Sequence, residues 1–237
     1  LAPKVEGSVW VEQGSFFKLE SCPAGYYVSP VGLNTLTAAT AAQQECNMCG
    51  KGYECVNTSC ITCSPCQPGF YKAAASTEAC DACPANTYAK EEGATALTLC
   101  QSCLAKSSTK GAVGQSSWSA CVCDSSYYRL VANDASDACM DCPPGLKCDG
   151  TSHVQSTVQN STWVADGAIY RLQSCPSGYY VSPPSVDAST AALQECLPCG
   201  KGEECVTASC VTCTACQPGF YKAAVSTDPC EACPANT

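Results

Sequence analysis

Cysteine is the residue type whose number and spacing could do chemistry here, with 25 in 237 residues. Cys46/Cys49 and Cys63/Cys66 stand close to the spacing of a four-cysteine zinc ribbon, in which thiolates close a tetrahedral site. Oxidation to disulfides is the competing chemistry, and the sequence favours it. Cys-x-x-Cys pairs recur along the chain, Lys plus Arg number only 12, and His153 is the one histidine. A thioredoxin-like redox pair needs a βαβ unit, and no such pattern is visible. So many thiols are useful as cross-links in an oxidising compartment, which points outside the cell or to its surface.

Other chemistry finds little support. His153 lies in a cysteine-poor stretch and reads as a solvated loop residue rather than a general base. No nucleophile elbow, phosphate loop or dinucleotide fingerprint appears. Asp134 and Asp137, with Glu91 and Glu92, could hold calcium weakly, but nothing matches a calcium loop, so they read as a solvated acidic surface. The expectation is therefore a chain that is not an enzyme and takes no cofactor. A net charge of −9 argues against nucleic acid and anionic membranes as partners. No apolar run approaches a membrane span. Asn57-Thr58-Ser59 and Asn160-Ser161-Thr162 are glycosylation sequons, which makes Asn57 and Asn160 candidate carriers of attached glycans.

The elements that position the cysteines come in repeats. Residues 8–22, SVWVEQGSFFKLESC, return at 161–175 as STWVADGAIYRLQSC, and Cys49 to Thr87 returns as Cys199 to Thr237. Repetition on this scale marks an array of units, each too small to bury a face alone. Four Phe, three Trp and two Met are too few for one large core, and many of the 11 Tyr sit at one repeated position. Many small cores stapled by disulfides are expected instead. The recurring phrase is cysteine, then Pro-x-Gly as in Cys22 to Tyr27 and again from Cys175, or Gln-Pro-Gly as in Cys66 to Tyr71 and again from Cys216, then two aromatics. Pro-x-Gly makes a tight turn with Gly free to take positive φ, and the aromatics start a short strand. Asn34 to Glu45 and Asp187 to Glu195 could each form a short helix. Asp166-Gly167 between apolar runs signals a hairpin over Trp163 to Leu172, and Gln13-Gly14 holds the same place in copy one. Trp10 and Trp163 are expected at equivalent places, packed on an adjoining module or a neighbouring chain. The layout expected is an N-terminal hairpin segment (1–21), modules of copy one (22–148), a hairpin linker (149–174) and modules of copy two (175–237).

The phrase from Cys80 to Cys103, CxxCPANTYAKEEGATALTLCxxC, resembles the ephrin-receptor-like cysteine-rich repeat, a relative of tumour-necrosis-factor-receptor-like modules. Cys121-Val122-Cys123-Asp124-Ser125-Ser126-Tyr127-Tyr128, closing at Cys139-x-x-Cys142, resembles the variant that begins Cys-x-Cys, with Ser125-Ser126 where that family shows Pro-Gly. Cys142-Pro143-Pro144-Gly145-Leu146-Lys147-Cys148 resembles the short form. The resemblance covers nearly all of 22–148 and 175–237. It implies a small disulfide-rich fold: an elongated tandem array of short β-hairpin modules with little helix. Such modules occur in receptors, protist surface antigens and fibrous appendages, so they leave function open.

The cysteine before each turn is expected to pair with the first cysteine of the next Cys-x-x-Cys. That rule joins Cys22–Cys46, Cys66–Cys80, Cys83–Cys100, Cys103–Cys121, Cys123–Cys139, Cys175–Cys196 and Cys216–Cys230, with Cys142–Cys148 as a short loop. Cys49, Cys55, Cys60 and Cys63 allow three pairings. Avoiding a tight Cys-x-x-Cys ring favours Cys49–Cys60 with Cys55–Cys63, and in copy two Cys199–Cys210 with Cys205–Cys213. Cys233 is left over, which suggests a window on a longer tandem chain. Near-identical copies without a site suggest the structural subunit of an extracellular filament, partnered by copies of itself. The alternative is the ectodomain of a cell-surface receptor or a protist surface antigen.

Overall fold

A computed structural model describes residues 4–30, 37–130, 138–184 and 187–234. Asp134 and Asp137 lie outside the described residues. The described chain forms twelve two-stranded sheets and almost no helix. It divides into two compact units, Leu1–Cys103 with Ser108–Cys121, and Leu104–Ser107 with Val122–Thr237.

The repeated phrase becomes a hairpin. Its aromatics open the first strand, and the two residues inside the next Cys-x-x-Cys lie in the second. Tyr26–Ser29 pairs with Glu45–Met48, and Tyr179–Ser182 with Glu195–Pro198. Phe70–Tyr71 pairs with Asp81–Ala82, Thr87–Tyr88 with Gln101–Ser102, and Tyr127–Tyr128 with Met140–Asp141. Alternation in strands this short buries at most one side chain in each of them. The cores are correspondingly small: Leu19, Cys22 and Val28 form one, Cys83, Ala89 and Cys100 another, and Leu172, Cys175, Val181 and Cys196 a third.

The two cysteine-free stretches form the longest hairpins. Val9–Gln13 pairs with Phe16–Ser21, and Thr162–Asp166 with Ile169–Ser174. We call these the N-terminal and linker hairpins. Each turns through two residues, and the first is Gly14 or Gly167, with φ of 67° and 62°. Glycine leads a two-residue loop of the II′ kind, whose twist matches that of the strands.

Residues 34–36 of the first helix signal lie outside the described residues, and among the described ones each signal yields one turn. Helix α1 spans Ala38–Ala41 and α2 spans Ala188–Ala191. Thr37 and Asp187 cap them through side-chain oxygens, and Thr40 and Thr190 return a bond to the cap backbone. Each helix delivers a glutamine into the adjoining hairpin. Leu19 N donates to Gln44 Oε1 at 3.0 Å, and Leu172 N donates to Gln194 Oε1 at 2.8 Å. Both hairpins carry a register irregularity opposite this point, between Val9 and Trp10 and between Thr162 and Trp163. The extra residue of a bulge leaves the ladder locally disrupted, and the buried amide oxygen supplies an acceptor there.

Candidate functional site

The positions with geometry beyond their own hairpins are the turns. Gly25, Gly52 and Gly69 take φ of 83°, 73° and 91°. Each uses its peptide in the same two ways. Gly69 N donates to Ala89 O at 2.7 Å, and Gly69 O accepts from Cys83 N at 2.8 Å. Gly52 N donates to Lys72 O, and its carbonyl accepts from Cys66 N. Gly25 N donates to Cys55 O and its carbonyl accepts from Cys49 N, a pattern repeated by Gly178 with Cys205 and Cys199. A Cβ at Gly25, Gly52, Gly69 or Gly178 would run into the carbonyl oxygen of Thr77, Gly93, Gly114 or Thr227. Glycine is therefore required twice over, for the left-handed backbone and for the close approach of the next module.

Three turns dispense with glycine. Asn86 takes φ of 66°, Lys106 67° and Ser126 77°. Ser126 shows that the module lacking Pro-Gly keeps the left-handed turn, and its carbonyl still accepts from Cys142 N. Asn86 reaches its neighbour through both backbone and side chain: Asn86 N donates to Thr109 Oγ1 at 2.9 Å, and Thr109 N donates to Asn86 Oδ1 at 3.2 Å. Lys106 puts Nζ 2.7 Å from Asp141 Oδ2 and 5.0 Å from the centre of the Tyr127 ring. That ion pair and cation–π contact offset the cost of a left-handed lysine.

The cysteines are bridged throughout, apart from exposed Cys233. Cys22–Cys46, Cys66–Cys80, Cys83–Cys100, Cys103–Cys121, Cys123–Cys139, Cys142–Cys148, Cys175–Cys196 and Cys216–Cys230 are joined. The remaining set departs from the pairing favoured by ring size. Cys49 joins Cys63 and Cys55 joins Cys60, and copy two repeats this as Cys199–Cys213 and Cys205–Cys210. Docking on the preceding turn decides it. Cys22 and Cys60 exchange backbone hydrogen bonds at 2.9 and 2.8 Å, and Cys55 O accepts from Gly25 N. These contacts gather Cys55 and Cys60 on the turn before them. Both pairings avoid a Cys-x-x-Cys ring, so that criterion could not choose.

The zinc-like set is divided among three bridges, because Cys46 goes to Cys22, Cys49 to Cys63 and Cys66 to Cys80. Among the described residues no group of three or more metal-ligating side chains converges. Glu91, Glu92 and His153 are exposed. Asn57 and Asn160 are exposed too, Asn57 on the rim of an open groove of about 390 Å³ that also includes Val56 and Ile61. Among the described residues no helix is long and apolar enough to cross a membrane.

Two positions that tie modules together by hydrogen bonds carry little sequence signal. Lys72 is only 3% exposed and donates from Nζ to Ser76 O at 2.8 Å. Burial draws its ammonium below the usual lysine range, and Glu54 and Glu78 oppose that shift. Glu54 Oε2 accepts from Cys80 N at 2.6 Å, and Glu204 Oε2 accepts from Cys230 N at 2.7 Å. Their repetition in both copies is the one sequence clue, since neither residue lies in the turn phrase.

Residues 52–100 match the family described as tyrosine-protein kinase ephrin type A/B receptor-like. The chain is 26% identical over 149 residues to human ephrin type-A receptor 5, covering 63% of this chain and 12% of that protein. It is 28% identical over 158 residues to ephrin type-A receptor 3 of Danio rerio, covering 65% and 13%. Over 116 residues it is 29% identical to ephrin type-A receptor 4-B of Xenopus laevis, covering 49% and 9%. The chain thus spans a small part of the length of these relatives. It carries an ephrin-receptor-like cysteine-rich repeat region, and the family match lies in non-catalytic repeats. Such disulfide-rich repeats point to extracellular exposure.

Proposed function

We propose that these residues form part of the ectodomain of a cell-surface protein, where docked cysteine-rich modules act as a non-catalytic spacer and contact surface. The observation that carries this reading is the join between modules. At Gly25, Gly52, Gly69 and Gly178 the turn is clamped on both the N–H and the C=O of the glycine, where the next backbone arrives. Coupling of each module to its neighbour suits a segment that sets distance. The named relatives are receptors, which favours the ectodomain over the filament subunit. Antibodies against residues 22–148 test it on intact, unpermeabilised source cells. Surface labelling, with detergent releasing discrete particles, is the expected outcome. Labelling only after permeabilisation, or filaments in negative-stain images of the released material, would overturn it.

A further inference from the structure

We infer that Asn160 and Asn57 are both N-glycosylated, and that modification at Asn57 competes with closure of the Cys55–Cys60 bridge. The inference rests on the extracellular reading, because both reactions belong to the secretory route. In the transfer, the Asn amide nitrogen attacks C1 of an oligosaccharide carried on a lipid pyrophosphate. The N–C1 bond forms, the C1–O bond breaks, the lipid pyrophosphate leaves with the electron pair, and the amide loses one proton. The transferase must hold the Asn amide and the hydroxyl two residues on together, which requires a segment that can be drawn out of the fold.

The two sequons differ in that freedom. Asn160 sits at the tip of a turn with φ of 62°, closed by Ser161 N and Oγ donating to Val158 O at 3.3 and 2.8 Å. Asn160 and Thr162 are exposed, and no bridge encloses them within a short loop. Asn57, Thr58 and Ser59 are exposed as well, but all three lie inside a bridge whose cysteines are five residues apart. Its Cα atoms are 6.3 Å apart, whereas five residues drawn out span about 17 Å. Once that bridge closes, the sequon cannot be extended. Asn57 must be modified on the reduced chain, whereas Asn160 is indifferent to oxidation. The sites also mark the copies differently, since Thr207 and Gly7 stand at the corresponding positions.

The full chain, secreted from a eukaryotic host, tests this by site-resolved glycopeptide mass spectrometry before and after amidase release. Asn160 is expected to be occupied and Asn57 only partly so. Occupancy at Asn57 should rise toward that at Asn160 in Cys55→Ser/Cys60→Ser, which removes only the small loop. Ser59→Thr with the bridge intact controls for the hydroxyl residue and should leave Asn57 below Asn160. A secreted, fully bridged chain without glycan overturns the proposal alone. Full occupancy at Asn57 in the bridged wild type, or full rescue by Ser59→Thr, overturns the competition. A retained chain with free thiols overturns the extracellular reading beneath both.

Discussion

The N-terminal and linker hairpins are one pattern in two settings. They have the same register, the same irregularity before the tryptophan, the same leading glycine and the same buried glutamine acceptor. Their surroundings differ. Trp10 is 38% exposed and Phe17 61% exposed. Trp163 packs, as do Val158 and Tyr179, against the core of Leu172, Cys175, Val181 and Cys196, and a Cβ on Gly145 would meet its ring. Tyr170, the counterpart of Phe17, sets its ring 5.2 Å from that of Tyr128. Its backbone N–H donates to Tyr128 Oη at 2.9 Å. Gly145 N donates in turn to Gln194 O. What buries a hairpin here is therefore the module laid on it, and the hairpin sequence supplies only the face.

The largest test of that difference is Trp163→Ala against Trp10→Ala. Truncating a packed tryptophan costs about 3 kcal/mol, whereas the exposed one should cost under about 1 kcal/mol. Denaturant unfolding with bridges intact reads both. Equal losses would mean that the covering module contributes nothing. Trp163→Phe sharpens the point, because Trp163 Nε1 is buried without a hydrogen-bond partner. Phenylalanine keeps most of the packing and removes a desolvated donor, so it should cost far less than alanine.

The same contrast explains what the sequence discloses. Pro-x-Gly followed by aromatics locates the hairpins, because turn chemistry and strand start are local. The bridges that close one hairpin, such as Cys22–Cys46, follow the order of cysteines along the chain. Cys55–Cys60 does not, because contact with the Gly25 turn sets it. Lys106 and Ser126 show that the left-handed turn survives without glycine where other contacts hold the turn, so composition marks this position incompletely. Gln44 and Gln194 give no local sign of burial, since their amides answer a bulge more than twenty residues away.

Tyr128→Phe is a smaller change aimed at the same join. It keeps the ring contact and removes the oxygen that accepts from Tyr170 N, at a cost of about 1 kcal/mol. Exchange of the Tyr170 amide should quicken while that of Phe17 stays as it was. Burial raises the Tyr128 hydroxyl above its ordinary value, partly countered by the bond from Tyr170 N. The folded state then holds its proton at a pH where the unfolded chain has lost it, so stability falls as pH rises past about 10. Tyr128→Phe should flatten that alkaline slope; an unchanged slope and unchanged exchange would remove this contact from the account.

The smallest expected effect separates the two copies at their one-turn helices. Thr37 caps α1 with a hydroxyl that does not titrate, whereas Asp187 caps α2 with a carboxylate. Asp187 Oδ1 accepts from Ser189 Oγ at 2.7 Å, from Thr190 N at 2.8 Å and from Thr190 Oγ1 at 3.0 Å. The Ser189 bond is the largest cause holding its pKa down at about 2, followed by the two from Thr190. A carboxyl depressed on folding contributes stability above its unfolded value near 4 and loses it as pH falls toward 2. The site is exposed, so the effect is local: the Thr190 amide should shift with a midpoint near 2 in an NMR titration, while the Thr40 amide stays flat. Asp187→Thr should make α2 behave as α1 does. A midpoint near 4 at Thr190 would mean that the bonds drawn to Asp187 are too weak in solution to distinguish the copies.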